Sequence, residues 1–375
     1  MRPAILVILM VLCTLPVEAV PRVVWRWSQK GCEIWGPSFS RDSRQIAFVR
    51  QRHWPRGRDA HNAPALVKAL EAKRKTNPRI ADPEVVVTKI GQRAVLRIGY
   101  GWEPHFSPNA RSVAFIAQKQ PISGKNVDAS TLSGNYVALY NRAARQAKAV
   151  ARPDEGYLSY PAFSANGVKL AYLMGQAIAG AFGGTTGVGL VDLKRNKVFP
   201  MFLPQKKDGL FRLFGPPVWS GGQFVVLRVT PLPTQGNALP ESVFDLLLLS
   251  AKRRVLYTWG KRPASYVPIF GFSPTGRAVI HDGKWLSVDV KSGKARPMPG
   301  QDASTRGVIS PNVRRIAEVD KSAVFVGDLG RPRQRLPLKL NGEPRGVMWS
   351  PDSKYLALVI NRGTVRGDEL VIVKL

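Results

Sequence analysis

The stretch Trp349-Ser350-Pro351-Asp352-Ser353-Lys354-Tyr355-Leu356-Ala357 decides the reading of this chain. A large ring precedes Ser-Pro-Asp-Ser, and an apolar run follows it. Proline presets φ for the first turn position, and Asp or Ser suits the next ones. The tetrapeptide therefore reads as a tight turn between two antiparallel strands. The ring before it belongs in a core, and the run after it suits a strand buried on both faces.

Six further copies begin at Phe39-Ser40, Phe106-Ser107, Phe163-Ser164, Trp219-Ser220, Phe272-Ser273 and Ile309-Ser310. The residue before Ser is aromatic in every copy but the Ile309 one. Proline follows Ser as Pro108, Pro274, Pro311 and Pro351. Six residues after Ser stands Ile46, Val113, Leu170, Val279, Ile316 or Leu356. The next position is Ala in five copies (Ala47, Ala114, Ala171, Ala317, Ala357), which predicts close approach of a neighbouring sheet. The Trp219 copy is one residue short.

Successive repeat serines lie 67, 57, 56, 53, 37 and 40 residues apart. The shorter spacings fit one four-stranded sheet with short turns, and the longer ones require insertions. Sheets of this size repeated along a chain build a β-propeller. The expectation is a single all-β domain over 20–375, a propeller of seven four-stranded blades. Its copies lie near 35–49, 102–116, 159–173, 215–227, 267–281, 306–319 and 345–359. The last copy has room for three strands, and Arg22-Val23-Val24-Trp25-Arg26-Trp27 reads as a lone strand that closes the last blade. That pairing removes an open sheet edge. One insertion, about 62–76, reads as a helix, with Asn62 as cap, Pro64 in the first turn and Lys73-Arg74-Lys75 at the end. Packing on its own propeller is its expected use.

Residues 1–19 read as a cleavable signal peptide. Arg2 is followed by the apolar stretch Ala4–Leu12, too short to span a bilayer, and by Val17-Glu18-Ala19. The expected location is periplasmic or extracellular, with no transmembrane helix after the signal peptide. Lys and Arg number 56 against 25 Asp and Glu, a net charge of +31. Such a chain is drawn to anionic surfaces. Nucleic acid is disfavoured as partner by the export signal. Of the two cysteines, Cys13 falls in the leader. Cys32 is left as a small buried residue.

The aromatic-Ser-Pro-Asp-Gly/Ser-(Lys/Arg)-x-Ile-Ala-Phe unit resembles the bacterial WD40-like (PD40) propeller repeat of TolB and related proteins. The resemblance spans nearly all the chain after Ala19 and implies a propeller. TolB proteins place an α/β domain before six blades, whereas seven copies are counted here. The Gly-His and Trp-Asp dipeptides of true WD40 repeats do not occur, and neither does the Gly-x-Ser-x-Gly of hydrolase domains.

Two sets of candidate binding residues emerge. In a propeller, the first-to-second and third-to-fourth strand turns share one face. The first set holds Arg44, Arg111, Arg277, Arg314 and Lys354, with Lys194, Arg195, Lys252, Arg253, Arg254, Arg331 and Arg333, and predicts a basic face. The second set stands in the loops before each copy, near the pore mouth: Trp35, Trp102, His105, Tyr160, Tyr266, Arg306 and Arg345. Aromatic and guanidinium groups there suit a sugar ring or a peptide end. The Gly-rich stretch 180–187 lacks the Lys-Ser/Thr of a P-loop and reads as a hairpin loop. No metal-ligand spacing, nucleophile–base pair or carboxylate pair is visible, and no cofactor is expected. The leading expectation is a non-enzymatic binding or scaffold module for an envelope protein or an anionic polysaccharide or lipid surface. The alternative is a propeller enzyme, hydrolase or lyase, acting on a carbohydrate or peptide at the central channel.

Overall fold

The computed structural model describes residues 20–53, 64–80, 82–119, 134–153, 156–175, 186–202, 212–232, 240–249, 254–263, 266, 268–298, 307–320 and 322–375. The leader 1–19 lies outside the described residues, as does most of the Gly-rich stretch.

Strand β1 (Arg22–Ser28) stands ahead of the repeats. The first copy contributes β2 (Cys32–Phe39), β3 (Gln45–Arg52) and β4 (Glu84–Lys89), with helix α1 (Pro64–Thr76) between β3 and β4. A long β5 (Leu96–Phe106) leads into β6 (Ser112–Ala117), β7 (Tyr136–Asn141) and β8 (Gln146–Ala151). The third copy forms β9 (Tyr157–Phe163), β10 (Lys169–Gly175), β11 (Thr186–Asp192) and β12 (Lys197–Phe202). The fourth forms β13 (Arg212–Ser220), β14 (Gln223–Pro231), β15 (Glu241–Leu249) and β16 (Arg254–Pro263). Next come β17 (Ile269–Phe272), β18 (Arg277–His281), β19 (Trp285–Asp289) and β20 (Ala295–Pro297). They are followed by β21 (Val308–Ile309), β22 (Arg315–Asp320), β23 (Ala323–Asp328) and β24 (Gln334–Arg335). The last copy gives β25 (Glu343–Trp349), β26 (Tyr355–Asn361) and β27 (Glu369–Lys374).

These strands make a β-propeller. The first strands of successive copies lie against one another, β2 on β5, β5 on β9, β9 on β13, β17 on β21 and β21 on β25, and so line the central channel. Seven separate four-stranded blades were expected, and that count is corrected. Five sheets are separate and four-stranded, and one sheet runs through seven strands from β2 to β8. The cause is β5. Its residues Leu96–Tyr100 pair with β4, and Gly101–Phe106 pair with β6. The outer strand of the first copy thus becomes the inner strand of the second with no connecting residue. Gly101 makes the corner at φ 148°, where a Cβ would stand 1.8 Å from the Ile116 carbonyl oxygen. No other residue fits so close a backbone approach.

Ring closure follows from β1, which pairs antiparallel with β27 from Arg22 opposite Lys374 to Ser28 opposite Glu369. Trp25 and Trp27 carry the seam between last and first copies, packing with Phe39, Phe48 and Ala357. The repeated alanines have the same explanation. Ala47, Ala114, Ala171, Ala317 and Ala357 are fully buried and sit in clusters between neighbouring copies.

The turn serines are structural. Ser40 Oγ donates to Asp42 Oδ1 at 2.6 Å and accepts the Gln45 N–H at 3.0 Å. Ser107, Ser164, Ser310 and Ser350 repeat this with Asn109, Asn166, Asn312 and Asp352. An Asx two residues on holds the hydroxyl, and the hydroxyl satisfies a backbone donor that would otherwise be orphaned. Ser220 differs: its turn is a tighter hairpin, and its hydroxyl donates to the Ser273 carbonyl at 2.8 Å.

Candidate functional site

The inner strands do not run straight. β2 loses register between Trp35 and Ser38, β5 between Trp102 and His105, and β9 at Tyr160-Pro161. Each break contains a residue followed by proline: Gly36-Pro37, Glu103-Pro104 and Tyr160-Pro161. Proline has no N–H to give a ladder, so a bulge is where a sheet tolerates it. The residue ahead of each proline is left-handed, with φ of 57° at Gly36, 54° at Glu103 and 51° at Tyr160. Glycine adopts that conformation freely. Glutamate and tyrosine are strained there, and such strain collects at functional sites.

The three bulges are neighbours around the channel. Pro104 Cδ lies 4.0 Å from the point where a Gly36 side chain would begin. The Glu103 carboxylate accepts the backbone N–H of Tyr160. Glu103 is half-buried, and desolvation pushes its carboxyl up to about 7, outweighing the opposing pull of the Tyr160 N–H. Burial also raises the Tyr160 phenol, with the nearby Glu103 charge adding to it. Tyr160 is 37% exposed, enough for a solute to meet it. Two positions beyond Glu103, burial depresses His105 to about 4, so its imidazole is neutral at physiological pH. Its Nδ1 is buried without a hydrogen-bond partner among the described residues, and its ring lies 6.0 Å from that of Phe163. The channel wall therefore holds a carboxyl poised near neutrality beside an accessible phenol. A group that titrates near the working pH can both take and give a proton.

The pore-mouth expectation is partly corrected. Trp35, Trp102, His105, Tyr160 and Arg345 lie within the innermost strands, not in loops ahead of them, because those strands begin earlier than the repeat pattern suggests. The Trp35 and Trp102 rings pack in the seams flanking the second copy. Arg345 is exposed at the register break of β25. Tyr266 stands apart, edge-on to Phe244 at 5.5 Å and under the Arg262 guanidinium at 5.7 Å. Arg306 lies outside the described residues. Glu103 is the residue that the sequence reading passed over. The available signal was the proline three positions before Ser in four copies, Pro37, Pro104, Pro161 and Pro217.

At the end of the ring that carries the serine turns, Arg44, Arg111, Arg314 and Lys354 are exposed in the turns between first and second strands, and Arg277 is exposed as the first residue of β18, its Nε donating to Ser287 Oγ at 2.8 Å. Lys194, Arg195 and Arg331 are exposed in the outer turns of the same end. Two expected surface cations are committed elsewhere. Arg254 donates to the carbonyls of Val290 and Lys291 in the next sheet, and Arg333 pairs with Glu318. Lys252 and Arg253 lie outside the described residues. Among the described residues, no group of three or more His, Cys, Asp or Glu could hold a metal ion.

No protein-family model and no curated protein sequence matches the chain. Solved structures do. An oligogalacturonate lyase in complex with manganese aligns at a TM-score of 0.56 with 10% identity, over 92% of this chain and 90% of that one. The β-propeller domain of the Trilobed protease from Pyrococcus furiosus aligns at 0.56 with 10% identity, over 91% and 93%. Acylaminoacyl peptidase from Pyrococcus horikoshii aligns at 0.53 with 11% identity, over 88% of this chain but 49% of its own length. At these identities the likeness is one of fold.

Proposed function

We propose that the protein is a propeller enzyme that acts on a carbohydrate or peptide at its central channel, with Glu103 as the proton-transferring group. The observation that carries this reading is the Glu103 carboxyl, held near neutrality on a strained inner-strand bulge against Tyr160. The solved structures of like fold support it, since they include a carbohydrate lyase and peptidases. An acidic oligosaccharide is the first substrate class to try. The lyase is matched along nearly its whole length and acts, by its name, on oligogalacturonate. A chain of net charge +31 also attracts polyanions. Tyr160 would bind or orient the sugar, and His105, neutral, would shape the wall beside it.

The test is turnover of acidic oligosaccharides and of peptides, read as unsaturated product, new reducing ends or released amines. The expected result is activity with one pH limb near neutrality, reduced about 10²- to 10⁴-fold in Glu103→Gln. Equal activity in that variant would remove Glu103 from the reaction.

A second reading is a binding module for an anionic polymer or an envelope protein, favoured by the exposed basic turns at Arg44, Arg111, Arg314 and Lys354. Export to the periplasm or exterior and membership of the PD40 repeat family belong to both readings as proposals. No helix among the described residues is long and apolar enough to cross a membrane.

A further inference from the structure

A cavity of about 240 Å³ opens in the first copy, at the strand ends opposite the serine turns. It shares no residue with the Glu103 site. Its wall is built from Gln29 after β1, Cys32 at the start of β2, Arg50 and Arg52 at the end of β3, Arg79 and Asp82 between α1 and β4, and Glu84 at the start of β4.

The charges on that wall do not balance. Arg50 is held by Glu84 at 2.7 Å, and Arg79 by Asp82 at 3.3 Å. Arg52 has neither a hydrogen bond nor an ion pair to its side chain among the described residues, although it is half-buried. Its guanidinium is left with donors that no protein acceptor uses, and an anion entering the cavity can take them. Gln29 is already oriented, because its amide oxygen accepts from Arg50 Nη1 at 2.9 Å. Its two N–H groups are left for a guest. The buried Cys32 thiol stands on the same wall and is 3% exposed.

We propose that this cavity binds a small oxyanion-bearing solute, with Arg52 as the charged anchor and the Gln29 amide as a second donor. Carboxylate and phosphate both present paired oxygens to a guanidinium fork, so the shared chemistry is that pair. The size of the cavity limits the guest to a small molecule, in contrast to the polymer-sized surface of the basic turns.

Acetate and inorganic phosphate are the two probes. Each is titrated into the full-length protein at constant ionic strength against chloride, because a +31 chain also attracts anions diffusely. The readouts are the thermal midpoint and, in a chain carrying Cys13→Ser, the rate at which Cys32 is alkylated. The expected result is a saturable rise in midpoint with at least one probe, and slower alkylation over the same concentration range. Arg52→Gln is expected to weaken the response about tenfold or more, while the exposed control Arg41→Gln leaves it intact. The proposal is overturned by a response no greater than that of chloride, or by equal loss in Arg41→Gln. It is also overturned by undiminished binding in a folded Arg52→Gln. Protection of Cys32 reads the cavity with Arg52 in place, so the test survives a variant that does not fold. Activity at the channel is not a readout, so failure here is distinct from failure of Glu103 as the proton-transferring group.

Discussion

The carboxylate of Glu103 accepts the backbone N–H of Tyr160 across two neighbouring inner strands, and both residues hold left-handed backbone immediately before a proline. A residue before proline ordinarily takes extended backbone. The pair therefore combines two conformational costs with one desolvated acid, at the channel wall.

Stability should fall with rising pH through this acid. The Glu103 carboxyl is raised from 4.5 to about 7 in the fold. Between those values the folded state binds more protons than the unfolded chain, so stability declines as pH rises. The contribution is complete below pH 4.5 and lost beyond about 7, and amounts to roughly 3 kcal/mol at most at 1.36 kcal/mol per pH unit. Glu103→Gln keeps the acceptor for Tyr160 and should flatten this part of the profile, raising the urea midpoint at pH 8 relative to pH 5. An unchanged slope in the variant would show that the acid is not desolvated.

Tyr160→Gly should cost little stability. Tyr160 is 37% exposed, and glycine relieves a left-handed φ of 51°. Relief of about 1–2 kcal/mol offsets the lost contacts, so the change should stay within about 1 kcal/mol of zero. Activity or ligand affinity should fall all the same. A stability loss well beyond that range would mark the ring as a packing residue.

Ser350→Ala should destabilise by about 1–3 kcal/mol, because it orphans a buried donor. Ser350 Oγ accepts the Tyr355 N–H at 2.9 Å and is fully buried. Equilibrium denaturation measures the loss. A neutral result would mean that water replaces the hydroxyl.

Trp27→Ala should cost about 3–5 kcal/mol, in the range of large aromatic truncations. The Trp27 ring centroid lies 4.9 Å from that of Phe48, and its Nε1 donates to the Arg93 carbonyl at 3.1 Å. Deleting residues 20–28 goes further and exposes the edge of β27, which should promote aggregation in light scattering. A soluble, cooperatively folding deletion would show that the ring holds without its closing strand.

The turn pattern was legible because its chemistry is local. Ser40, Asp42 and the residues after them are fixed by contacts a few positions apart, so the turn leaves its mark in the local sequence of each copy. The pairing of Arg22–Ser28 with β27 was legible because a lone apolar strand lacked a partner at one end and a sheet lacked a strand at the other. The fusion of the first two sheets was not. It depends on Gly101 turning a corner against the Ile116 carbonyl, a contact between strands that no local pattern carries. The acid was hidden for the same reason. A lone Glu103 looks like any surface glutamate until the bulge sets it against Tyr160 of the next copy.

Because β5 belongs to two copies at once, the ring has one joint without play. Its N-terminal half cannot slide past β4 without dragging β6 along, whereas elsewhere one sheet is separate from the next. The first and second copies therefore move together, and Glu103, two residues past the corner, rides on that shared sector. Hydrogen exchange would register this as a single cooperative opening unit spanning β4, β5 and β6.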